Sequence, residues 1–142
     1  MIKLKLNDIA VRRELSRFQR IADNLSPILN QIGVSLQSSH GLRWEQQKTP
    51  NGEQWKPLSP RYKQWKAKNY PSVANKILIL HGNLRKLKLR TTNDSVFLGA
   101  DKIYAKTHQY GDSSRNIPKR EFLGFSSQDE KDILKAVKKY FV

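Results

Sequence analysis

The ionisable side chains of this sequence offer little catalytic chemistry. Cysteine, the usual thiolate ligand and a common nucleophile, is missing from the chain. The three histidines are far apart and show no HxxxH or HExxH spacing: His40, His81 and His108. The one close group of carboxylates falls within 129–132, in the first turn of a predicted helix, where capping and the helix dipole account for it. We therefore predict no catalytic site, metal, cofactor or small-molecule substrate.

The basic side chains are the stronger chemical signal. The 142 residues carry 27 Lys and Arg against 12 Asp and Glu, a formal net charge of +15 at pH 7. No acidic residue lies between Glu53 and Asp94. Such a field of one sign is typical of a surface that faces a polyanion, because clustered cations release counterions from phosphates. A solvated face that only keeps the protein soluble is the alternative. The candidate DNA-facing residues are Lys56, Arg61, Lys63, Lys66, Lys68, Arg85, Lys86, Lys88 and Arg90.

Length and composition indicate one domain, 1–142. A chain of this size can bury a single core, and 37% apolar residues are too many for a disordered chain. No apolar run reaches the roughly 20 residues of a membrane helix. Met1 to Leu6 alternates apolar residues with lysines and lacks the apolar stretch of a signal peptide. We therefore expect a soluble, intracellular basic domain with no membrane partner.

Apolar periodicity predicts the first elements of an α+β fold. Ile2, Leu4 and Leu6 alternate with lysines, as in a half-buried strand. Two N-terminal helices joined by a short turn are predicted over 8–46, as a helical hairpin. Ser26 is the predicted N-cap of the second helix, with Pro27 at its first helical position.

The rest of the chain predicts a small antiparallel sheet and a C-terminal helix. A long, irregular and basic segment over 47–76 is interrupted by a short helix over 61–68, capped by Ser59-Pro60. In the region 77–124 we predict a β-hairpin of 85–91 with 95–99, and a helix over 102–110 ended by Gly111. The final helix spans 127–141, and Ser127 to Glu130 form its capping box.

The tryptophans allow two interpretations. Trp44, Trp55 and Trp65 each have a cation beside them, which is the composition of a surface that stacks on bases. Large aromatic residues more often anchor an irregular segment to the core. We favour anchoring, because none of the three lies on a predicted strand.

A series of short motifs runs through the second half of the chain. It consists of Pro50-Asn51-Gly52 with Trp55-Lys56-Pro57-Leu58-Ser59, Ile77-Leu78 with Gly82-x-Leu84, Val96-Phe97-Leu98-Gly99, Tyr104-Ala105 with His108-Gln109-Tyr110-Gly111, and Ile117-Pro118-x-Arg120 with Phe122-Leu123-Gly124. This series resembles the phage virion morphogenesis family, the tail completion proteins of Mu-like and related contractile-tailed phages and prophages. The likeness spans nearly the whole chain.

The resemblance implies a structural protein without enzymatic activity, which completes the tail at its head-proximal end for head–tail joining. It implies other phage tail or neck proteins as partners and a homo-oligomeric ring in the particle. It also implies a location in the host cytoplasm during assembly and then in the tail or neck of the virion. A stand-alone basic nucleic-acid-binding module, touching DNA non-specifically through its middle segment, is the alternative.

The motif residues allow two kinds of role. Arg120 beside Phe122 joins a planar cation to an aromatic ring, the composition of an interface hot spot, with a structural ion pair as the alternative for Arg120. The candidate assembly interface is Trp55, His108, Tyr110, Arg120 and Phe122. The residues expected to anchor the irregular middle to the core are Trp55, Leu78, Leu84, Tyr104 and Phe122.

Overall fold

The computed structural model describes residues 2–4, 9–19 and 25–140. Its helices are α1 (Ile9–Gln19), α2 (Ser26–Gln46), α3 (Pro60–Asn69), α4 (Ala105–Tyr110) and α5 (Ser127–Tyr140). Its strands are β1 (Ile2–Leu4), β2 (Lys88–Thr91) and β3 (Val96–Ala100), and short 3₁₀ turns lie at Pro71–Val73 and Ser113–Arg115. The predicted α+β class is confirmed. None of the helices in these ranges combines the length and apolar character needed to span a membrane.

The two N-terminal helices lie where the sequence predicts them. The N-cap of α2 is Leu25, so Ser26 and Pro27 both lie inside the first turn and the predicted cap was one residue late. Helix α1 lies against α5. The turn of the predicted helical hairpin, residues 20–24, falls outside the described residues, as do Leu6 and Phe141.

The sheet is antiparallel, with the strand order β1-β3-β2. Leu89 of β2 pairs with Leu98 of β3, and the hairpin closes where the Thr92 amide donates to the Ser95 carbonyl at 2.8 Å. The first strand of the hairpin, β2, begins at Lys88 rather than at residue 85, so it is shorter than predicted. Leu89 and Leu98 pack with α2, which leaves the alternate residues, among them Arg90, on the other face. There the Arg90 guanidinium lies 4.9 Å from the centroid of the Phe97 ring.

Two apolar clusters fill the core, and α2 and β3 contribute to both. The first unites the N-terminal half of α2 with β3 and α5: Leu25, Ile28, Leu29, Ile32, Leu36, Leu98, Ile133 and Val137. The second gathers the irregular segments around the C-terminal end of α2: Trp44, Trp55, Ile79, Leu84, Ala100, Ala105, Phe122 and Leu123. Trp55 meets Trp44 edge to face at 5.3 Å between ring centroids. Anchoring, the interpretation favoured for the tryptophans, is therefore correct for this pair.

A glycine ends α4, and a capping box begins α5. Helix α4 is shorter than the predicted 102–110, but it ends at Gly111 as predicted, with φ at 76° and ψ at 172°. A Cβ atom there would lie 2.8 Å from the Lys119 amide nitrogen, so only glycine lets the chain pass so closely. The capping box of α5 is one residue earlier than predicted. The Ser126 hydroxyl accepts from the Asp129 amide, and the Asp129 carboxylate accepts from the Ser126 amide, both at 3.0 Å.

Candidate interaction site

Three of the five predicted interface residues belong to the core. Trp55, Arg120 and Phe122 are only 4%, 7% and 2% exposed. All three side chains therefore lie inside the fold rather than on its outer surface, and Arg120 also lines the cleft described below. His108 is half-buried, and Tyr110 remains exposed. The predicted anchors are confirmed at Trp55, Leu84 and Phe122, whereas Tyr104 is exposed.

Arg120 is a clamp on the preceding irregular segment. Its Nε donates to the Lys56 carbonyl at 2.7 Å, and one terminal nitrogen donates to the Pro57 carbonyl at 2.8 Å. The Trp55 indole donates to the Glu121 carbonyl at 2.8 Å, which reinforces the same contact. Among the described residues the hydrogen-bond partners of Arg120 are backbone carbonyls rather than the carboxylate of the expected ion pair. The clamp fixes where residues 58 and 59 leave the core.

The segment that follows Arg120 is held by one glutamine. The Gln109 amide oxygen accepts from the amides of Phe122 and Leu123, both at 3.0 Å, and its NH₂ group donates to the Leu123 carbonyl at 2.8 Å. Gln109 is buried and thereby satisfies backbone groups that water cannot reach. Helix α4 and the motif around Arg120 are therefore joined by buried hydrogen bonds.

Helix α3 is attached to the next irregular segment by a buried lysine. Ser59 caps α3 as predicted, its hydroxyl accepting from the Tyr62 amide at 3.3 Å. Lys66 is 1% exposed, and its ammonium group donates to the Lys76 carbonyl. Burial lowers the pKa of Lys66 below its usual value. Lys66 was predicted to face DNA; the structure places it inside the molecule, so that prediction is corrected.

These segments enclose a cleft of about 590 Å³. It lies between α3, the irregular segment 78–84, α4 and residues 116–120. We call it the α3–α4 cleft. Four of the five sequence motifs contribute walls to it, which the sequence could not show. Its lining residues are Leu58, Ser59, Tyr62, Lys66, Leu78, Ile79, Leu80, His81, Gly82, Asn83, Leu84, Tyr104, His108, Asn116, Ile117, Pro118 and Arg120.

Two exposed aromatic side chains, Tyr62 and Tyr104, line the cleft. Tyr62 and Trp65 of α3 stack at 5.6 Å between ring centroids, and both are more than a third exposed. On the opposite side Tyr104, which also lines the cleft, is 42% exposed. Large exposed apolar groups around a concave surface are typical of protein interaction sites.

The walls of the cleft are basic. The cations on them are Lys66 and Arg120, and no aspartate or glutamate lines the cleft. Burial, together with the nearby charges of Arg120 and Arg115, lowers the pKa of His108. The lowered pKa favours the neutral ring, and the Nδ1 of His108 is buried with no hydrogen-bond partner in the described part of the chain.

The remaining predicted DNA-facing cations lie on the surface in two groups. Lys56, Arg61, Lys63 and Lys68 are exposed on or just before α3. Arg85, half-buried and paired with Glu45, begins the second group. That group continues with Lys86, Lys88 and Arg90, which are exposed along β2 and the residues before it. Among residues 2–4, 9–19 and 25–140 no group of three metal-ligating side chains comes together.

The sequence singled out Lys66, His108 and Arg120 but did not show that they line one cleft. Tyr62 and Lys66 were not predicted to lie on the same side of α3. Their spacing of four residues was the available signal, because residues four apart lie on one face of a helix. Leu80 and Ile117 lie in irregular segments, where no periodicity tells which side faces inward. Their place in the cleft depends on the Arg120 clamp and on the packing of Leu84 and Trp55.

Comparison with known proteins agrees with the motifs. Residues 6–142 match the model of the phage virion morphogenesis family. The chain is 27% identical over 146 residues to protein G of Escherichia phage Mu, which is named for capsid assembly, with 93% of each chain covered. It is 25% identical over 147 residues to the Mu-like prophage FluMu G protein 2 of Haemophilus influenzae, covering 99% of this chain and 96% of that one.

A more distant organism supplies a partial match. A protein of Methanocaldococcus jannaschii is 34% identical over 91 residues, which are 60% of this chain and 66% of that one. No solved structure matches the chain at a significant level. The family match extends over almost the whole chain, and every structural motif named above falls within it. The chain belongs to the phage virion morphogenesis family.

Proposed function

We propose that this protein is a non-enzymatic structural component that completes the phage tail at its head-proximal end, so that the tail can join the head. The observation that carries the proposal is the α3–α4 cleft. The motif segments that resemble tail completion proteins converge on it and build an apolar, exposed-rimmed surface rather than a reactive centre. A protein whose motifs serve contact rather than chemistry suits an assembly role.

The partners in this proposal are other tail or neck proteins and further copies of the chain. A ring of copies would place the two cationic groups repeatedly around a channel. Each copy adds to the local positive potential, and non-specific contact with DNA follows from charge alone. A free-standing DNA-binding module is less well supported. Trp44 and Trp55 are buried, so of the three tryptophans Trp65 alone is exposed enough to stack on bases.

The proposal is tested by electron microscopy of particles made without this protein. In a phage or prophage that encodes the chain, deletion should yield DNA-filled heads and separate, full-length tails. A plasmid-borne copy should restore joined particles. The name of the relative in phage Mu points to capsid assembly instead, and that role predicts malformed or empty heads beside normal tails. Such heads would overturn the proposal.

A further inference from the structure

The α3–α4 cleft contains positive charge that its own walls leave unpaired. Lys66 and Arg120 are the two cations least exposed in the described part of the chain, and both line the cleft. Their hydrogen-bond partners are backbone carbonyls only, of Lys76 for one and of Lys56 and Pro57 for the other. Among the described residues, no carboxylate lies within 4.0 Å of either cation.

A carboxylate from outside is the group that this arrangement favours. Carbonyl dipoles stabilise a buried cation only in part, and the missing counter-ion leaves a net positive potential in a poorly hydrated space. The attraction for an incoming anion is stronger there than at the surface, because the apolar walls lower the local dielectric constant. The exposed cations of α3, at Arg61, Lys63 and Lys68, add to it at longer range.

The remainder of the cleft selects an apolar side chain. Leu58, Leu80, Ile117 and Pro118 present aliphatic surface, and Tyr62 faces the same space. A volume of about 590 Å³ lies in the range of ordinary ligand pockets and holds only a few side chains. Aliphatic walls favour a leucine or phenylalanine over a sugar–phosphate backbone, which has no comparable group to cover them.

We propose that the α3–α4 cleft binds a short segment of another virion protein, in which one or two large apolar side chains adjoin an aspartate or glutamate. The inference rests on the proposed function, since it takes the occupant from the virion. The apolar side chain fills the space between α3 and residues 116–118, and the carboxylate pairs with Lys66. A second copy of the chain and DNA are the other occupants that an experiment must separate.

Site-specific photocrosslinking in assembling particles identifies the occupant. A photoreactive amino acid replaces Tyr62 in one variant and Tyr104 in another, since both line the cleft and are exposed. Lys135, exposed on α5, is the control position. We expect both cleft positions, but not position 135, to crosslink to one segment of another virion protein, with large apolar residues next to a carboxylate.

Other crosslinking results would overturn the inference. These are a crosslink to a second copy, to DNA or to a segment without a carboxylate, or no crosslink specific to the cleft. All of these results leave the proposed function standing, because electron microscopy of particles made without the chain tests that function separately. Crosslinks to the expected segment beside malformed heads would instead retain the cleft and refute the tail role.

The contribution of Lys66 is measured with purified protein. The probes are two labelled peptides that contain Leu-Phe, flanked by aspartates in one and by asparagines in the other. We expect the aspartate peptide to bind at least tenfold more tightly, and Lys66→Met to remove that difference while the asparagine peptide binds as before. The control variant Lys135→Met should keep the difference in affinity between the two peptides. Equal affinity of the two peptides for the unsubstituted protein, or an undiminished difference in Lys66→Met, refutes the pairing.

Discussion

Arg43 of α2 donates a hydrogen bond to Asp129 of α5 at 2.8 Å, and this nearly buried ion pair joins the two helices. The second terminal nitrogen of Arg43 donates to the Gly124 carbonyl at 2.8 Å. The pair therefore links the end of the motif region to both core helices. The side chains are 11% and 6% exposed, so neither charge can be hydrated if the other is removed.

Arg43→Leu should lower the free energy of unfolding by about 3–5 kcal/mol, because it leaves Asp129 buried without its partner. The measurement is urea denaturation followed by circular dichroism. Arg85→Leu is the matched control: its pair with Glu45 is largely hydrated, so losing it should lower the free energy of unfolding much less than Arg43→Leu does. Equal losses in the two variants would contradict this interpretation of the Arg43 pair.

His40 should make the fold sensitive to mild acid. Its Nδ1 lies 2.7 Å from the Leu36 carbonyl, and its Nε2 accepts from the Gly124 amide at 3.3 Å, so the folded protein needs the neutral ring. Burial, with the nearby charge of Arg43, lowers the pKa of His40 from 6.5 to about 4. The unfolded chain therefore binds the proton first, and stability falls as the pH drops from about 6.5 to about 4.

Between pH 6.5 and 4 the free energy of unfolding should fall by about 3 kcal/mol, as the difference between the two pKa values of His40 requires. Urea denaturation at a series of pH values measures it. His40→Asn should be less stable at pH 7, and its stability should depend less on pH between 6.5 and 4. Burial alone would raise the pKa of Asp129, but hydrogen bonds from Ser126 and Arg43 lower it below 3.8. Protonation of Asp129 therefore lowers the stability further at a pH below that value. An unchanged slope in His40→Asn would refute the assignment.

Local patterns predicted the regular elements well. Stripes of apolar residues located α2 and α5, and alternation located the hairpin, because helices and strands bury one face at a fixed period. Errors of one residue occurred at the caps of α2 and α5. At α2 the cap is Leu25, which makes no side-chain capping hydrogen bond, and at α5 two adjacent serines offer the same chemistry. Ser126 rather than Ser127 caps α5, since only Ser126 exchanges both hydrogen bonds with Asp129.

Long-range contacts could not be read from the sequence. Lys66 has the same composition signal as Lys63 and Lys68, yet its position on α3 turns it toward the Lys76 carbonyl. Arg120 and Phe122 have the composition of a contact surface, and they are buried because Gln109 and the segment at Lys56 close over them. The cleft arises from such pairings between distant segments, which no local period encodes.

Gly111 should be indispensable for packing α4 against residues 117–119. Its φ of 76° with ψ of 172° belongs to a region that is nearly restricted to glycine. Gly111→Ala should lower the free energy of unfolding by at least about 2 kcal/mol, from backbone strain and the close Lys119 amide. Gly41→Ala is the control. It lies within α2 with open space around a Cβ atom, and should raise stability by up to about 1 kcal/mol. A harmless Gly111→Ala would contradict the close approach.

The surface cations should give weak, non-specific binding to DNA. We expect a Kd of roughly 10⁻⁴–10⁻⁶ M for the isolated protein, with a steep dependence on salt and no sequence preference. Replacing Lys63, Lys68, Lys86 and Lys88 by glutamine should flatten that dependence. All four are exposed, so each change should alter stability by about 0.5 kcal/mol or less. Fluorescence anisotropy at several salt concentrations measures it, and tight sequence-selective binding would favour a stand-alone DNA-binding module.

Order-of-addition complementation tests the tail role most directly. Heads and tails are purified separately from cells that lack the chain. The purified protein is incubated with one of them and the excess is removed before the other is added. The account predicts that infectious, joined particles form when the protein first meets the tails, and that prior incubation with the heads alone has little effect. Restoration only through the heads would contradict it.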